Sequence, residues 1–358
     1  MSIPHLLLVI LCLLLLWAGW LRSVRWYYRV RRPSPARLFA TTQDGWRIAL
    51  FHRPPVQRRF LEPVVLVHGL STSHLNFDFD PPYSLAHFLA ARGFDCFSVD
   101  LRGAGESVPP RGVGLYAYNI DDHIRFDAPA ILDAALTATG ASQALWVGHS
   151  MGALVGYAAA GRGEAARLRG LCMVGAPVFF AFERWMRRAL GIGLLLAWPR
   201  ALRQRLLGGT LAPFLGHVAL PLSDVVINPK AVPPALQRKL FATLIGEISR
   251  GVLGQFADWI RHDAFRAADG KEDYRAGLET LEVPTLVLGG SADRLARPAA
   301  IHGQFDLLGS ADKTLMIFGP ENGDAVEYGH GDLIFGERAP EEVYPRIAAW
   351  LEAHATPV

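Results

Sequence analysis

Gly148-His149-Ser150-Met151-Gly152 is the stretch on which the reading of this chain turns. It has the form G-x-S-x-G. Ala144-Leu145-Trp146-Val147 precedes it, a short apolar run with the character of a buried strand. Ala153-Leu154-Val155-Gly156-Tyr157-Ala158-Ala159-Ala160 follows, an alanine-rich run that favours a helix. A strand, a sharp turn and a helix in that order lift the side chain at the turn clear of a sheet. The flanking glycines let the backbone turn tightly and let strand and helix approach closely. In a chain with 35 glycines the pentapeptide alone is weak, and its strand–helix setting is what makes Ser150 a candidate nucleophile.

Working outward from that turn, strands and helices alternate. Residues 37–52 alternate around Asp44-Gly45, the turn dipeptide of a hairpin. Residues 53–63 form a polar connection. Residues 63–67 are a run of β-formers read as a central strand, ending at His68-Gly69-Leu70. A helix over 83–91, a strand over 95–99 and a glycine-rich loop over 100–107 come next. Residues 121–139 are helical, with Pro129 an irregularity. Further strands are expected at 171–174, 284–288 and 314–318. A closing helix is expected over 339–354, its start set by Pro340 and the acidic pair Glu341-Glu342.

This alternation predicts an α/β chain with a mostly parallel central sheet covered on both faces. Residues 177–282 interrupt it and hold no strong strand run, which marks an inserted, largely helical cap. The expected organisation is an anchor and basic linker over 1–36, a catalytic domain over 37–176 and 283–358, and the cap over 177–282. There is no internal repeat and no low-complexity tract.

A length of 358 residues, 51% of them hydrophobic, suits one large domain with an insertion, and a formal charge of +3 does not suggest a nucleic-acid partner. Cys12 lies in the apolar N-terminal run, and Cys96 and Cys172 lie in predicted strands. Their spacing matches neither a zinc site nor a disulfide framework, as in a reducing compartment. Residues 3–21 are almost wholly apolar and carry no Lys or Arg. At 1.5 Å per residue they span roughly 28 Å, about one bilayer core. Arg22, Arg25, Arg29, Arg31 and Arg32 follow, interleaved with Trp26, Tyr27 and Tyr28, as interfacial anchors do. Pro33-Ser34-Pro35 then begins a linker. A cleaved signal peptide would carry its charge ahead of the apolar run, so a retained single-pass anchor is expected before a cleaved signal or a buried helix. The arginines place the following domain on the cytoplasmic side.

A serine hydroxyl needs a base to take its proton and a third group to orient that base. After a turn of this kind, acid and base follow the serine in chain order at the ends of later strands. Val287-Leu288-Gly289-Gly290-Ser291-Ala292-Asp293 is a strand and tight loop bearing an acid, so Asp293 is the expected orienter. Asp306 and Asp312 flank a helix instead. His330 lies between two glycines after the last strand and is the expected base; His302 comes too early and His354 lies in the tail. The oxyanion formed on attack at a carbonyl needs fixed N–H donors. Met151, directly after the serine, offers one, and Leu70 in the loop after the 63–67 strand offers the other. His68, at a strand end ahead of the serine, reads as structural.

Together these residues resemble the α/β-hydrolase superfamily of serine hydrolases. The motifs are Val67-His68-Gly69-Leu70, Asp100-Leu101-Arg102-Gly103-Ala104-Gly105-Glu106-Ser107, the serine turn, Gly290-Ser291-Ala292-Asp293 and His330. The likeness is greatest to the acid-lipase-related branch. It is carried by Asn76-Phe77 with Ser84-Leu85-Ala86, by Phe126-Asp127-Ala128-Pro129-Ala130, and by His330-Gly331-Asp332-Leu333-Ile334-Phe335-Gly336. The resemblance implies hydrolysis of carboxylic esters of lipid-like substrates through an acyl-serine, with no metal and no organic cofactor. Acid lipases are secreted or lysosomal, whereas this chain reads as anchored. Polyhydroxyalkanoate synthases use a cysteine, and epoxide hydrolases and dehalogenases an aspartate, where Ser150 stands.

The cap opens with Phe179-Phe180-Ala181-Phe182 and Trp185. Six arginines (184, 187, 188, 200, 203, 205) stand against Glu183 alone between Pro177 and Leu207. Such a segment suits a membrane interface, and equally a cap packed on its own domain. The expected partners are an ester or lipid substrate and a membrane. An acyltransferase using the same three residues, or a noncatalytic binding protein of the same fold, are the alternatives. Oligomeric state is open.

Overall fold

The computed structural model describes residues 2–31, 35–180, 182–216 and 223–358. Its centre is an eight-stranded sheet: β1 (Ala36–Thr41), β2 (Arg47–Arg53), β3 (Val64–Val67), β4 (Cys96–Asp100), β5 (Ala144–His149), β6 (Leu168–Val174), β7 (Thr285–Gly290) and β8 (Lys313–Phe318). The strand order is β1-β2-β4-β3-β5-β6-β7-β8. Only the β1–β2 and β2–β4 pairs are antiparallel, so β2 alone runs against the rest. The Asp44-Gly45 hairpin forms as the sequence suggests, with Gly45 at φ 87.

Strands buried on both faces alternate their side chains between two cores. Val65, Val67, Val99, Trp146 and Met173 enter one, and Val64, Leu66, Cys96, Val147 and Cys172 the other. Main helices beyond the N-terminal helix α1 (Ile3–Tyr28) are α2 (Leu85–Ala91), α3 (Ala128–Thr139) and α4 (Met151–Gly161). Those of the 177–282 segment are α5 (Arg184–Leu196), α6 (Gln204–Leu211), α7 (Pro234–Thr243) and α8 (Arg250–His262). They are followed by α9 (Pro298–Leu307) and α10 (Ala339–His354). The last matches its expected range at both ends. The 177–282 segment also holds a short ribbon that the sequence did not suggest, Ala201–Leu202 against Ile248–Ser249.

The irregularity expected at Pro129 is a wide, π-type turn over His123–Asp127. Pro129 has no N–H to continue the ordinary ladder, and the Ala128 N–H reaches back to the His123 carbonyl instead. This turn aims Asp127 at Arg102, whose Nε donates at 2.8 Å, and at His123 Nδ1 at 2.9 Å. Arg102 also reaches Asp44 at 2.8 Å, tying the glycine-rich loop to the hairpin. In that loop a side chain at Gly105 would fall 1.8 Å from Asp100 Oδ2, so only glycine fits.

α1 is 26 residues long, roughly 39 Å at helical rise, and is long and apolar enough to cross a membrane. It continues past the apolar run through Arg22 and Arg25 to Tyr28. Its first half is exposed, while its second half packs on the 177–282 segment. Trp17 Nε1 donates to Thr210 Oγ1 at 2.9 Å, Trp20 stacks on Phe214 with centroids 6.3 Å apart, and Val24 packs on Ala212 and Ala242. Of the linker named from sequence, residues 32–34 lie outside the described residues.

Candidate active site

Register builds the site. β3 and β5 are neighbours, with Val67 opposite Gly148, and chain order reverses between them. Loops leaving two such strands diverge and open a crevice at the carboxyl end of the sheet. Leu70 lies just past one strand and Ser150 just past the other. Val174 of β6 aligns with His149 and with Leu288 of β7, and Gly290 of β7 aligns with Phe318 of β8. The loops bearing Asp293 and His330 therefore open on the same edge.

Ser150 sits at φ 52 and ψ −118, a conformation that non-glycine residues rarely adopt. Its N–H donates to the Val174 carbonyl at 2.8 Å, which fixes the strained turn against β6. Both flanking glycines are required sterically. A Cβ at Gly152 would lie 2.1 Å from the Val67 carbonyl oxygen, and one at Gly148 would lie 2.5 Å from Ala153 backbone atoms.

His330 and Asp293 are both buried, and His330 Nδ1–H donates to Asp293 Oδ2 at 2.9 Å. The other carboxylate oxygen of Asp293 accepts the N–H groups of Leu295 at 2.8 Å and Ala296 at 2.7 Å. That pairing leaves His330 Nε2 as the free ring nitrogen. His330 is set against the serine turn by its neighbour: His149 Nε2–H donates to the His330 carbonyl at 3.2 Å, and the two rings lie 5.0 Å apart. Gly175, one residue beyond the Val174 that holds Ser150, faces both partners. A Cβ there would be 3.4 Å from the His330 ring and 3.5 Å from Asp293 Oδ2.

Among the described residues, the Leu70 and Met151 N–H groups have no hydrogen-bond acceptor. Both residues line a cavity of about 120 Å³ together with Tyr116, Arg205, Glu247 and Val252. Leu70 is followed by Ser71, at φ 60, which is strapped to the 177–282 segment. Gly246 N–H donates to the Ser71 carbonyl at 2.7 Å, and Ser71 Oγ–H donates to the Gly246 carbonyl at 2.6 Å.

His68 accepts the Leu101 N–H at Nε2, 3.1 Å, and donates from Nδ1 to the Gly69 carbonyl at 2.7 Å. Burial lowers its pKa to about 4, and burial lowers that of His149 to about 3, so both rings are neutral spacers. Asp306 and His302 lie within α9, and Asp312 pairs with His354 at 3.1 Å.

Asp332 received no role from sequence. It is buried and accepts the Gly329 N–H at 2.6 Å and the Asn228 N–H at 3.0 Å, so it ties the His330 loop to the 177–282 segment. Burial raises its pKa to about 7, against the opposing pull of those two N–H groups. Its only sequence signal was its place in the His330-Gly331-Asp332 run. Glu247 was also missed, since nothing local marks a glutamate that folds over a distant loop. No group of side chains among the described residues is arranged to hold a metal ion.

A family profile described as alpha/beta hydrolase fold matches residues 62–319. Lipase lipl-1 of Caenorhabditis elegans is 25% identical, over 90% of this chain and 88% of its own length. Human lipase member K is 23% identical over 88% of this chain and 86% of its own. A solved membrane phospholipase A, described as a bacterial virulence factor, shares the fold. It has a TM-score of 0.56 at 20% identity and covers 98% of this chain and 97% of its own.

Proposed function

This chain belongs to the alpha/beta hydrolase family, and from that premise we propose that it is a membrane-anchored serine hydrolase cleaving carboxylic esters of lipid-like substrates. Ser150 is the nucleophile, His330 the general base and then acid, and Asp293 the orienter. Leu70 and Met151 supply the oxyanion N–H groups. The observation that carries the reading is the strained Ser150 turn held beside a buried His330–Asp293 pair at 2.9 Å.

His330 Nε2 takes the Ser150 hydroxyl proton as Oγ attacks the ester carbonyl carbon. The carbonyl oxygen becomes an oxyanion between the two backbone donors. The tetrahedral intermediate collapses, the carbon–oxygen bond to the alcohol breaks, and His330 returns the proton to the leaving oxygen. Water then attacks the acyl-serine by the same steps and releases the carboxylic acid.

The domain organisation follows: anchor over 1–36, catalytic domain over 37–176 and 283–358, cap over 177–282. The membrane reading is supported by α1 and by the cap surface beside it. Leu195, Leu196, Trp198, Leu206, Leu207 and Phe214 are exposed, and Phe214 and Thr210 touch the anchor at Trp17 and Trp20. Apolar side chains held at that depth suit the bilayer interface. The positive-inside rule puts the catalytic domain in the cytoplasm, which protease protection of sealed vesicles tests.

Ester hydrolysis across acyl lengths with wild type and Ser150→Ala tests the function. Wild type turns over esters and reacts with a fluorophosphonate probe, and the variant does neither. An unreactive wild type, or a variant that keeps turnover, overturns the reading.

A further inference from the structure

Three arginines gather where anchor, cap and cavity meet. Arg205 lines the cavity that also holds Leu70 and Met151. Arg203 stacks its guanidinium over Tyr116, another wall residue, at 5.1 Å. Arg25, one helical turn beyond the anchor's last apolar residues, lies within electrostatic reach of Arg205 and Glu247. No carboxylate among the described residues forms an ion pair with Arg25, Arg203 or Arg205 at salt-bridge distance. Glu247 is an acid within electrostatic reach of all three. It lines the cavity, directly after the Gly246 that is strapped to Ser71. Gln204 and Arg205 turn backbone N–H groups toward its carboxylate, yet among the described residues Oε2 is buried without a hydrogen-bond partner. Three positive charges against one negative charge leave a cationic cluster beside the cavity, with Arg205 in its wall. Leu70 and Met151, the proposed oxyanion donors, line the same cavity as Arg205 and Glu247.

We propose that Arg203 and Arg205 of the cap, with Arg25 of the anchor, bind the phosphate of a lipid head group whose acyl ester is presented to Ser150. This rests on the ester-hydrolase reading of the site and adds the substrate class: phosphate-bearing glycerol esters ahead of neutral ones. Guanidinium forks match phosphate oxygens in pairs, and the bonds are charge-assisted. Self-repulsion among three unpaired guanidiniums favours an arriving dianion or monoanion in proportion. The orphan Glu247 Oε2 fits a free glycerol hydroxyl beside the phosphate, because a carboxylate accepts only.

The test uses the full chain in neutral detergent micelles. Two esters of one acyl chain, lysophosphatidylglycerol and monoacylglycerol, are compared for wild type, the double variant Arg203→Gln/Arg205→Gln, and Arg203→Lys/Arg205→Lys. The ratio of kcat/KM for the phosphate ester over the neutral ester should fall at least tenfold in the glutamine variant and recover in part with lysine. Binding of the ether-linked, uncleavable analogues is measured alongside. It should show the same tenfold loss for the phosphate lipid alone, whether or not the chain hydrolyses esters. Loss of turnover on every ester with this binding intact would sink the hydrolase reading and leave the phosphate site standing. An unchanged ratio and unchanged analogue binding overturn the site, as does a glutamine variant that only loses attachment to anionic vesicles. Inorganic phosphate should compete at far higher concentration than the lipid. Equal affinity would mark a free-phosphate site and also overturn the proposal.

Discussion

An Asp293→Asn substitution exchanges one oxygen for an NH2 group and should lower kcat about 10³- to 10⁴-fold, roughly 4–5.5 kcal/mol of barrier. The magnitude follows from the hydrogen bonds around the side chain. Oδ1 of Asp293 accepts two backbone N–H groups, from Leu295 at 2.8 Å and Ala296 at 2.7 Å. An asparagine can keep both only by placing its oxygen there, which turns its NH2 toward His330 Nδ1. The flipped orientation would strand two backbone donors, one buried and one part-buried, at about 1–3 kcal/mol each, so about 2–6 kcal/mol holds the amide in place. His330 Nδ1 must then accept instead of donate, and the proton moves to Nε2. The nitrogen that has to receive the Ser150 proton is already protonated, and the imidazolium that forms on attack loses its carboxylate. Initial rates on a short soluble ester give kcat, and thermal unfolding checks that the fold is kept. A variant with wild-type unfolding and turnover within tenfold of wild type would refute the assignment of Asp293.

Two further substitutions test the frame around the site. Gly152→Ala puts a methyl group 2.1 Å from the Val67 carbonyl oxygen, against backbone that cannot swing away, and should destabilise the fold by about 3 kcal/mol or more. An unshifted urea midpoint would show the turn to be looser than described. Asp332→Asn tests the buried carboxyl, whose pKa is raised to about 7 from an ordinary value of about 4. Between those values the folded chain holds a proton that the unfolded chain releases. The wild type therefore loses stability as pH rises from about 4 to about 7, then levels off. The asparagine variant cannot ionise, so its stability relative to wild type should climb across that window. A difference that stays flat from pH 4 to pH 8 would contradict the burial of Asp332.

Legibility followed the range of the forces involved. The serine turn could be read because its requirements are local: glycine at each flank, a strand before and a helix after. α10 could be read to both ends because Pro340 and Glu341-Glu342 act within its first turn. The His330–Asp293 pair could be anticipated because both lie in loops after later strands of the sheet. Other features depend on residues far apart in sequence and carried no local signal. The Ala201–Leu202 ribbon needs a partner 46 or more residues away, and two-residue strands have no periodicity to detect. The turn at His123–Asp127 was visible only as a proline, since its shape serves the distant Arg102. Asp332 and Glu247 look like ordinary surface acids until the His330 loop and the cap cover them. The packing of Trp17, Trp20 and Val24 on the cap was equally hidden, because an apolar anchor looks the same whether its flank is bare or occupied.

The pair of bonds between Ser71 and Gly246 sets how this enzyme can move. A cap that lifted away as a flap would break both and pull on the loop carrying Leu70. A movement of the 177–282 segment that kept both bonds would turn about Gly246. On the proposed mechanism, admission of a substrate by such a movement would leave the Leu70 N–H in line. On that mechanism, a displacement that widened the cavity at its Ser71 side would also shift one of the two oxyanion donors, so the strap would link entry to reaction.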